Sequence, residues 1–212
     1  MLPSGQPAGP TAGGLAYLAL GDSYTIGEGA AADERWPVQL ATLGRKRGIM
    51  LAEPEIIART GWTTGDLSAA IANARLTKTY DLVSLLIGVN NQYQGQSVAM
   101  YRTEFRQLLG TALGLAGNRP QRVVVLSIPD WGQSPFANGQ DRARIGAEID
   151  QFNAAARQEC QSRDIAFIDI TPLTRAAAGD NNQFTRDRLH YSGAQMGKWA
   201  ELVLPTVETV LK

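Results

Sequence analysis

Four side chains of the 212-residue sequence have the chemistry that acyl transfer needs. Ser23 is a candidate nucleophile, His190 its base and Asp187 the group that orients the base, and the Asn90 amide is a candidate donor to an oxyanion. His190 is the single histidine of the chain. Structural roles stay open as well, because a serine after a strand is often a helix N-cap and an asparagine often satisfies a turn.

The elements that position these residues follow from five short apolar runs that alternate with segments of helical spacing. Such alternation is typical of βαβ units and of a parallel sheet covered on both faces. We predict the α/β class: a three-layer α/β/α sandwich whose five-stranded parallel sheet has the flavodoxin-like order 2-1-3-4-5. One such domain is expected over residues 15–212. The predicted strands span 15–20, 54–59, 82–89, 122–128 and 165–170.

Local signals predict where several helices begin and end. A capping box of Thr63 and Asp66 opens one helix. Ser192 and Gln195 have the same spacing at the start of the last helix, which Pro205 is expected to kink or end. Helical spacing also covers about 36–47, 101–112 and 145–160.

Ligands of a parallel α/β sheet bind beyond the carboxyl ends of its strands, and the candidate residues follow the predicted strands there. Gly61, after the second strand, adds a backbone N–H, although its role could be limited to a positive φ. Five aromatic residues in these loops are expected to form apolar walls for an acyl or aryl group: Trp62, Tyr93, Trp131, Phe136 and Phe184.

The sequence resembles the GDSL/SGNH hydrolases in four blocks that occur in the family's order. The blocks are G-D-S-Y-T-I-G-E-G at 21–29, the glycine at 61, G-V-N-N at 88–91 and D-R-L-H at 187–190. The resemblance implies that Ser23 is the nucleophile and that Asp187 and His190 complete a catalytic triad. Asp22 is expected to fasten the tight turn that presents Ser23, without a part in proton transfer.

The same resemblance implies an oxyanion hole formed by the N–H groups of Ser23 and Gly61 and by the Asn90 side chain. Two positions depart from the family pattern. Tyr24 replaces the usual leucine, which is expected to change packing more than chemistry. Asn91 replaces the usual aspartate, so a salt bridge that would hold the loop is in doubt.

The function that this resemblance implies is that of a serine esterase, which hydrolyses carboxylic esters through an acyl-enzyme on Ser23. Acetyl and other short or medium acyl groups are expected. An acyltransferase with the same residues stays open, and so does a non-catalytic flavin- or phosphate-binding flavodoxin-like module. The glycine-bearing segment 21–29 follows the first strand but lacks both G-x-x-x-x-G-K-[ST] and G-x-G-x-x-G.

The resemblance implies a small-molecule, carbohydrate or lipid ester as the substrate, and composition argues against a nucleic-acid partner. Twenty Lys and Arg balance twenty Asp and Glu, so no net charge attracts nucleic acid. One cysteine, Cys160, and one histidine do not suffice for a zinc site, and no metal or organic cofactor is expected. No apolar run approaches the ~20 residues that span a bilayer. Residues 1–14, with three Pro and four Gly, are expected to form a flexible leader rather than a signal peptide, so the localisation stays open between cytoplasm and export.

Overall fold

The computed structural model describes residues 14–212, and its centre is a parallel sheet of five strands. The strands are β1 (Tyr17–Asp22), β2 (Glu55–Arg59), β3 (Leu82–Leu86), β4 (Val123–Leu126) and β5 (Ala166–Ile168). Their order is β2-β1-β3-β4-β5, and every neighbouring pair is parallel. The predicted α/β class and the order 2-1-3-4-5 are therefore confirmed.

Helices lie on both faces of the sheet. They are α1 (Ser23–Ile26), α2 (Trp36–Lys46), α3 (Thr64–Ala74), α4 (Val89–Tyr93), α5 (Val98–Leu115), α6 (Arg142–Gln161), α7 (Thr171–Arg175) and α8 (Gly193–Leu211). Helix α2 packs against α8, whereas α5 packs against both α3 and α6. These two groups form the outer layers of the sandwich.

The middle strands are buried along their whole length because helices cover both faces. Every residue of β1, β3 and β4 is buried, whereas β2 and β5 at the two edges are mostly half-buried. A continuous apolar run is what a strand covered on both faces requires. Two polar groups inside the sheet satisfy each other, since the Tyr17 hydroxyl lies 3.0 Å from Ser84 Oγ.

Strand β1 extends two residues beyond the predicted end at position 20. Gly21 and Asp22 stay in the ladder, opposite Ala58 and Arg59 of β2. The backbone bonds of a ladder do not depend on side-chain polarity, so the strand continues past its apolar run. This extension carries Asp22 to the end of the sheet, directly before Ser23.

The two predicted capping boxes have different outcomes. Thr63 N–H donates to Asp66 Oδ2 at 2.9 Å, and the Asp66 N–H donates back to Thr63 Oγ1, as predicted. Ser192 makes no side-chain capping bond at the start of α8. Gln195 instead donates from Nε2 to the carbonyl of Leu173, a partner that sequence spacing does not show.

The last helix continues through Pro205 and ends at Leu211. Val203 and Val207, on either side of the proline, are fully buried. Burial of such side chains stabilises the helix against the loss of one backbone hydrogen bond. The expectation that the helix could end at Pro205 is therefore wrong.

The leader expected over residues 1–14 lies, except for Gly14, outside the described residues. Among the helices of residues 14–212, none has the length and apolar character needed to cross a membrane.

Candidate active site

The turn from β1 into α1 presents Ser23 at the carboxyl end of the central strands. Ser23 is the first residue of α1 and is 4% exposed. Gly21 makes the turn possible, because an added Cβ would overlap Thr25 Oγ1 and lie 2.5 Å from the Leu86 carbonyl oxygen. A larger residue at position 21 would therefore displace the nucleophile candidate.

Asp22 fastens this turn, as the sequence predicts. Its Oδ1 accepts the Tyr24 N–H at 3.0 Å, and its Oδ2 is buried with no hydrogen-bond partner among residues 14–212. Burial raises the pKa of Asp22 to about 7, although the bond from the Tyr24 N–H opposes the rise. Near neutral pH a large share of Asp22 is therefore the uncharged acid.

A short loop that follows the 3-10 turn Asn181–Gln183 carries Asp187 and His190. Asp187 Oδ1 accepts the N–H groups of Leu189 and His190 at 2.9 and 3.0 Å. It also accepts the Thr185 hydroxyl at 2.8 Å, while Oδ2 lies 2.5 Å from His190 Nδ1. Partial burial alone would raise the pKa of Asp187, but these hydrogen bonds lower it to about 2. The carboxylate is thus charged at neutral pH and accepts a hydrogen bond from the His190 Nδ1–H group.

Ser23, Asn90 and His190 lie in the wall of one cleft of about 150 Å³, whose other lining residues are Tyr24, Val89, Tyr93, Trp131 and Leu189. The hydrogen bonds of the His190 ring within residues 14–212 all go to Asp187. The Ser23 hydroxyl therefore makes no hydrogen bond to the imidazole within the described residues. Catalytic hydrogen bonds are often loose without substrate and tighten in the complex.

Asn90 is tied to the loop that follows β2. Its Nδ2 donates to the Trp62 carbonyl at 2.9 Å, and an amide group has a second hydrogen to donate. Gly61, in the same loop, is exposed and is not among the residues that line the cleft. The Gly61 N–H makes no hydrogen bond within the described range 14–212. The loop therefore holds Gly61 next to the carbonyl that orients Asn90.

Hydrogen bonds of the neutral Asn91 take the place of the salt bridge that the family pattern suggested. Asn91 is fully buried, and its Oδ1 accepts the Thr64 N–H at 3.1 Å. Its Nδ2 donates to Thr64 Oγ1 at 2.7 Å and to Gln96 Oε1. These bonds join the start of α3 to α4. The amide uses a donor and an acceptor together, which a charged carboxylate could not do.

Three of the five predicted wall residues lie at or beside the cleft. Tyr93 and Trp131 line it, with ring centroids 5.3 Å apart. Phe136 lies next to Trp131, with the two ring centroids 6.3 Å apart. Trp131 is buried, whereas Tyr93 and Phe136 are among the exposed large apolar side chains.

The other two predicted aromatic residues, Trp62 and Phe184, are not among the residues that line the cleft. Trp62 acts through its backbone, because its carbonyl accepts the Asn90 amide. Phe184 is buried, since it forms a β-bridge with Tyr191 and packs on that ring at 5.0 Å. Loop position alone did not indicate which way each ring turns.

Tyr24 contributes more to the cleft than the packing role predicted from sequence. It lines the cleft, and its ring centroid lies 5.5 Å from that of His190 at an interplanar angle of 62°. Burial raises the pKa of Tyr24 well above its usual range, so its hydroxyl stays neutral. Val89 and Leu189 were missed as lining residues, and their only sequence signal was adjacency to Asn90 and His190.

Asp130 is the buried carboxylate beside Trp131, and both of its side-chain oxygens accept hydrogen bonds from neighbouring residues. Its Oδ2 accepts Arg175 Nε at 2.8 Å, and its Oδ1 accepts the Gly132 N–H at 3.0 Å. These bonds hold the segment after β4 in place. Asp187 is therefore the carboxylate that contacts the imidazole.

The arrangement combines a hydroxyl, an imidazole bonded to a carboxylate, and an amide donor around one small cleft. This is the set of groups that attacks a carbonyl carbon with general-base assistance and stabilises the resulting oxyanion. Within residues 14–212, no three His, Cys, Asp or Glu side chains are grouped to hold a metal ion.

Comparison with known proteins gives one family and many similar structures. The sequence model of the family described as GDSL-like lipase/acylhydrolase matches residues 19–196. No curated protein sequence matches significantly. The lipase/acylhydrolase from Enterococcus faecalis is 20% identical, with 93% of this chain and 97% of that chain covered at a TM-score of 0.68.

Two esterase structures are similar to the same extent. Axe2, an acetylxylan esterase from Geobacillus stearothermophilus, is 20% identical, with 92% of this chain and 94% of that chain covered at a TM-score of 0.70. The psychrotrophic esterase EstA from Pseudoalteromonas sp., in a structure inhibited by monoethylphosphonate, is 16% identical, with 92% and 97% covered at a TM-score of 0.66. The fold is thus shared over almost the whole length of each chain.

Proposed function

Because this chain belongs to the GDSL-like lipase/acylhydrolase family and is a carboxylic ester hydrolase, we propose that it hydrolyses its substrate through an acyl-enzyme on Ser23. The observation that carries the proposal is the cleft that Ser23 shares with His190 and Asn90. Nucleophile, base and oxyanion donor must meet at one carbonyl, and these three residues come from distant parts of the chain.

In the first half of the reaction, the Ser23 hydroxyl attacks the ester carbonyl and His190 Nε2 takes its proton. Asp187 supports this role, since its charged carboxylate accepts a hydrogen bond from the Nδ1–H group and leaves Nε2 free as the proton acceptor. The imidazolium then gives the proton to the departing alcohol. Water attacks the acyl-enzyme with His190 again as base, which releases the carboxylic acid and restores Ser23.

The developing oxyanion accepts hydrogen bonds from the Ser23 N–H, the Gly61 N–H and the Asn90 amide. Three features support this assignment: Ser23 begins a helix, where N–H groups lack intrahelical partners; the Gly61 N–H is unbonded within residues 14–212; and Asn90 is oriented by the Trp62 carbonyl. No metal ion takes part in the proposed steps.

The acyl group is short or medium in length. The catalytic cleft measures about 150 Å³, below the ~300–1,000 Å³ typical of sites for drug-sized ligands. An acetyl group fits such a space with room for the attacking water, whereas a long acyl chain would have to leave the cleft.

Labelling with a fluorophosphonate tests the proposal directly. Peptide mass mapping should find one adduct, on Ser23, and Ser23→Ala should abolish both labelling and hydrolysis of a p-nitrophenyl ester series from two to sixteen carbons. Ser192→Ala is the matched control, because its hydroxyl makes no hydrogen bond within residues 14–212. An adduct on another serine of an active protein would overturn the assignment. Product analysis with added alcohol separates hydrolysis from acyl transfer.

A further inference from the structure

A second hollow of about 210 Å³ adjoins the catalytic cleft and shares Tyr93 and Trp131 with it. We call it the Trp131 groove. The lining residues used below are Gln92, Tyr93, Trp131, Phe136, Arg144 and Glu148. A substrate with its carbonyl at Ser23 can therefore extend past Trp131 into this groove. The groove lies where one side of an ester substrate would continue.

Aromatic rings form one part of the groove. Tyr93 and Phe136 flank Trp131 with centroid distances of 5.3 and 6.3 Å. Tyr93 is 58% exposed and Phe136 is 45% exposed, while Trp131 is only 6% exposed. Two large exposed rings next to a buried indole form an apolar surface that a ligand can contact.

Polar side chains form the other part, and hydrogen bonds connect two of them to Trp131. The Trp131 Nε1–H donates to Gln92 Oε1 at 2.8 Å, and Gln92 Nε2 donates to Glu148 Oε2 at 2.7 Å. Arg144 Nε lies 3.9 Å from Glu148 Oε1. The carboxylate and the guanidinium balance each other's charge. An alkyl chain in the groove would strip water from these groups without replacing its hydrogen bonds.

We propose that the Trp131 groove binds the uncharged sugar ring of an O-acetylated carbohydrate, whose acetyl group enters the catalytic cleft. A sugar ring has apolar C–H faces for Tyr93 and Phe136 and hydroxyl groups for Glu148 and Arg144. The balanced charge of this pair favours a neutral ligand over an anionic or cationic headgroup. The volume of the groove suits a group the size of one ring. This inference rests on the proposed esterase function of Ser23.

Two acetates with matched shapes test the groove: methyl 6-O-acetylglucoside and cyclohexylmethyl acetate. Both carry the acetyl group on a methylene attached to a six-membered ring, but only the sugar has hydroxyl groups. We expect kcat/KM to be about tenfold higher for the sugar ester, because its hydroxyl groups can form hydrogen bonds with the charged Glu148 and Arg144, each worth about 1.5 kcal/mol or more, whereas the cyclohexyl ring cannot. Equal rates, or a preference for the cyclohexyl ester, would overturn the proposal.

Phe136→Ala provides the second arm. Its KM for the sugar ester should rise about two- to tenfold, the range expected for one aromatic contact. Its KM for ethyl acetate, whose alcohol is too small to reach the groove, should change by a smaller factor than its KM for the sugar ester. Met100→Ala is the matched control, because Met100 is also an exposed large apolar side chain but does not line the groove. An unchanged KM for the sugar ester in Phe136→Ala contradicts the proposal.

Binding measurements keep this inference separate from the esterase mechanism. Calorimetric titration of Ser23→Ala with methyl 6-O-acetylglucoside should show binding that Phe136→Ala weakens. If the wild type hydrolyses ethyl acetate and no binding of the sugar ester is found, the groove proposal fails while the esterase proposal stands. If binding occurs and neither ester is hydrolysed, the groove proposal stands and the esterase proposal fails.

Discussion

The ring of Tyr24 lies edge-on to the imidazole of His190, with centroids 5.5 Å apart and planes at 62°. Tyr24 in turn contacts Tyr191 and Trp199, at centroid distances of 5.8 and 6.2 Å. This aromatic cluster is buried against α8. His190 is therefore held by Asp187 at Nδ1 and by the Tyr24 ring within the cleft.

Replacing Tyr24 by leucine, the usual residue of the family at this position, removes the ring contact with His190. An aromatic pair is worth about 0.5–1.5 kcal/mol, so kcat should fall about two- to tenfold while the protein stays folded. Tyr24→Phe keeps the ring and should stay near the wild-type rate. Steady-state kinetics and thermal melts check both variants. A Tyr24→Leu enzyme as fast as Tyr24→Phe would contradict this role.

Asp187→Asn should lower kcat by about 10⁴-fold, as loss of the orienting carboxylate does in a triad. The asparagine carbonyl can still accept the loop N–H groups at Oδ1, but its NH₂ group would face His190 Nδ1. The imidazole would then carry its proton on Nε2, the atom that must accept the Ser23 proton. The ¹⁵N spectrum of the single histidine reads this tautomer directly. An unchanged tautomer would show that Asp187 does not set the tautomer of His190.

Asn90→Ala should reduce kcat by about 10²–10³-fold with little change in melting temperature, as the loss of one oxyanion donor does. Asn91→Ala is the contrasting variant. It leaves the buried Thr64 N–H without its acceptor and should lower the free energy of unfolding by about 1–3 kcal/mol. A small loss of kcat in a stable Asn90→Ala protein would show that Asn90 only satisfies the turn and is not an oxyanion donor.

The pKa of Asp22, raised to about 7 by burial, predicts a pH-dependent stability. Between about pH 4 and 7 the folded protein retains a proton that the unfolded chain has released. This group therefore lowers the free energy of unfolding as the pH rises through that range, with no further loss above it. Asp22→Asn keeps the acceptor for the Tyr24 N–H but never ionises. Its melting temperature relative to wild type should rise from pH 4 to pH 7, and a constant difference would refute the assignment.

The sheet order was predictable because each apolar run marks one buried strand, and the crossover rules leave few arrangements of five parallel strands. The capping box of Thr63 and Asp66 was predictable for a similar reason, since all its partners lie within four residues. Gln195 shows the limit of such reasoning. Its side chain bonds to the Leu173 carbonyl, and that contact depends on how α8 packs against α7.

The residue types of the candidate site were predictable from strand ends, but the directions of its side chains were not. Phe184 and Phe136 both lie in predicted rim loops, yet one is buried against Tyr191 and the other is exposed beside Trp131. Tertiary packing decides between these outcomes. The Trp131 groove is lined by Glu148, which lies in the middle of α6 and far from any strand end. No local sequence pattern marks that residue.

Asp187 gives one oxygen to the backbone of its own loop and the other to the imidazole of His190. The six residues from Thr185 to His190 thus form a loop whose own hydrogen bonds align Asp187 with His190. Changes in the length of the preceding segment would shift base and carboxylate together, without misaligning one against the other. Only their joint distance to Ser23 would then change.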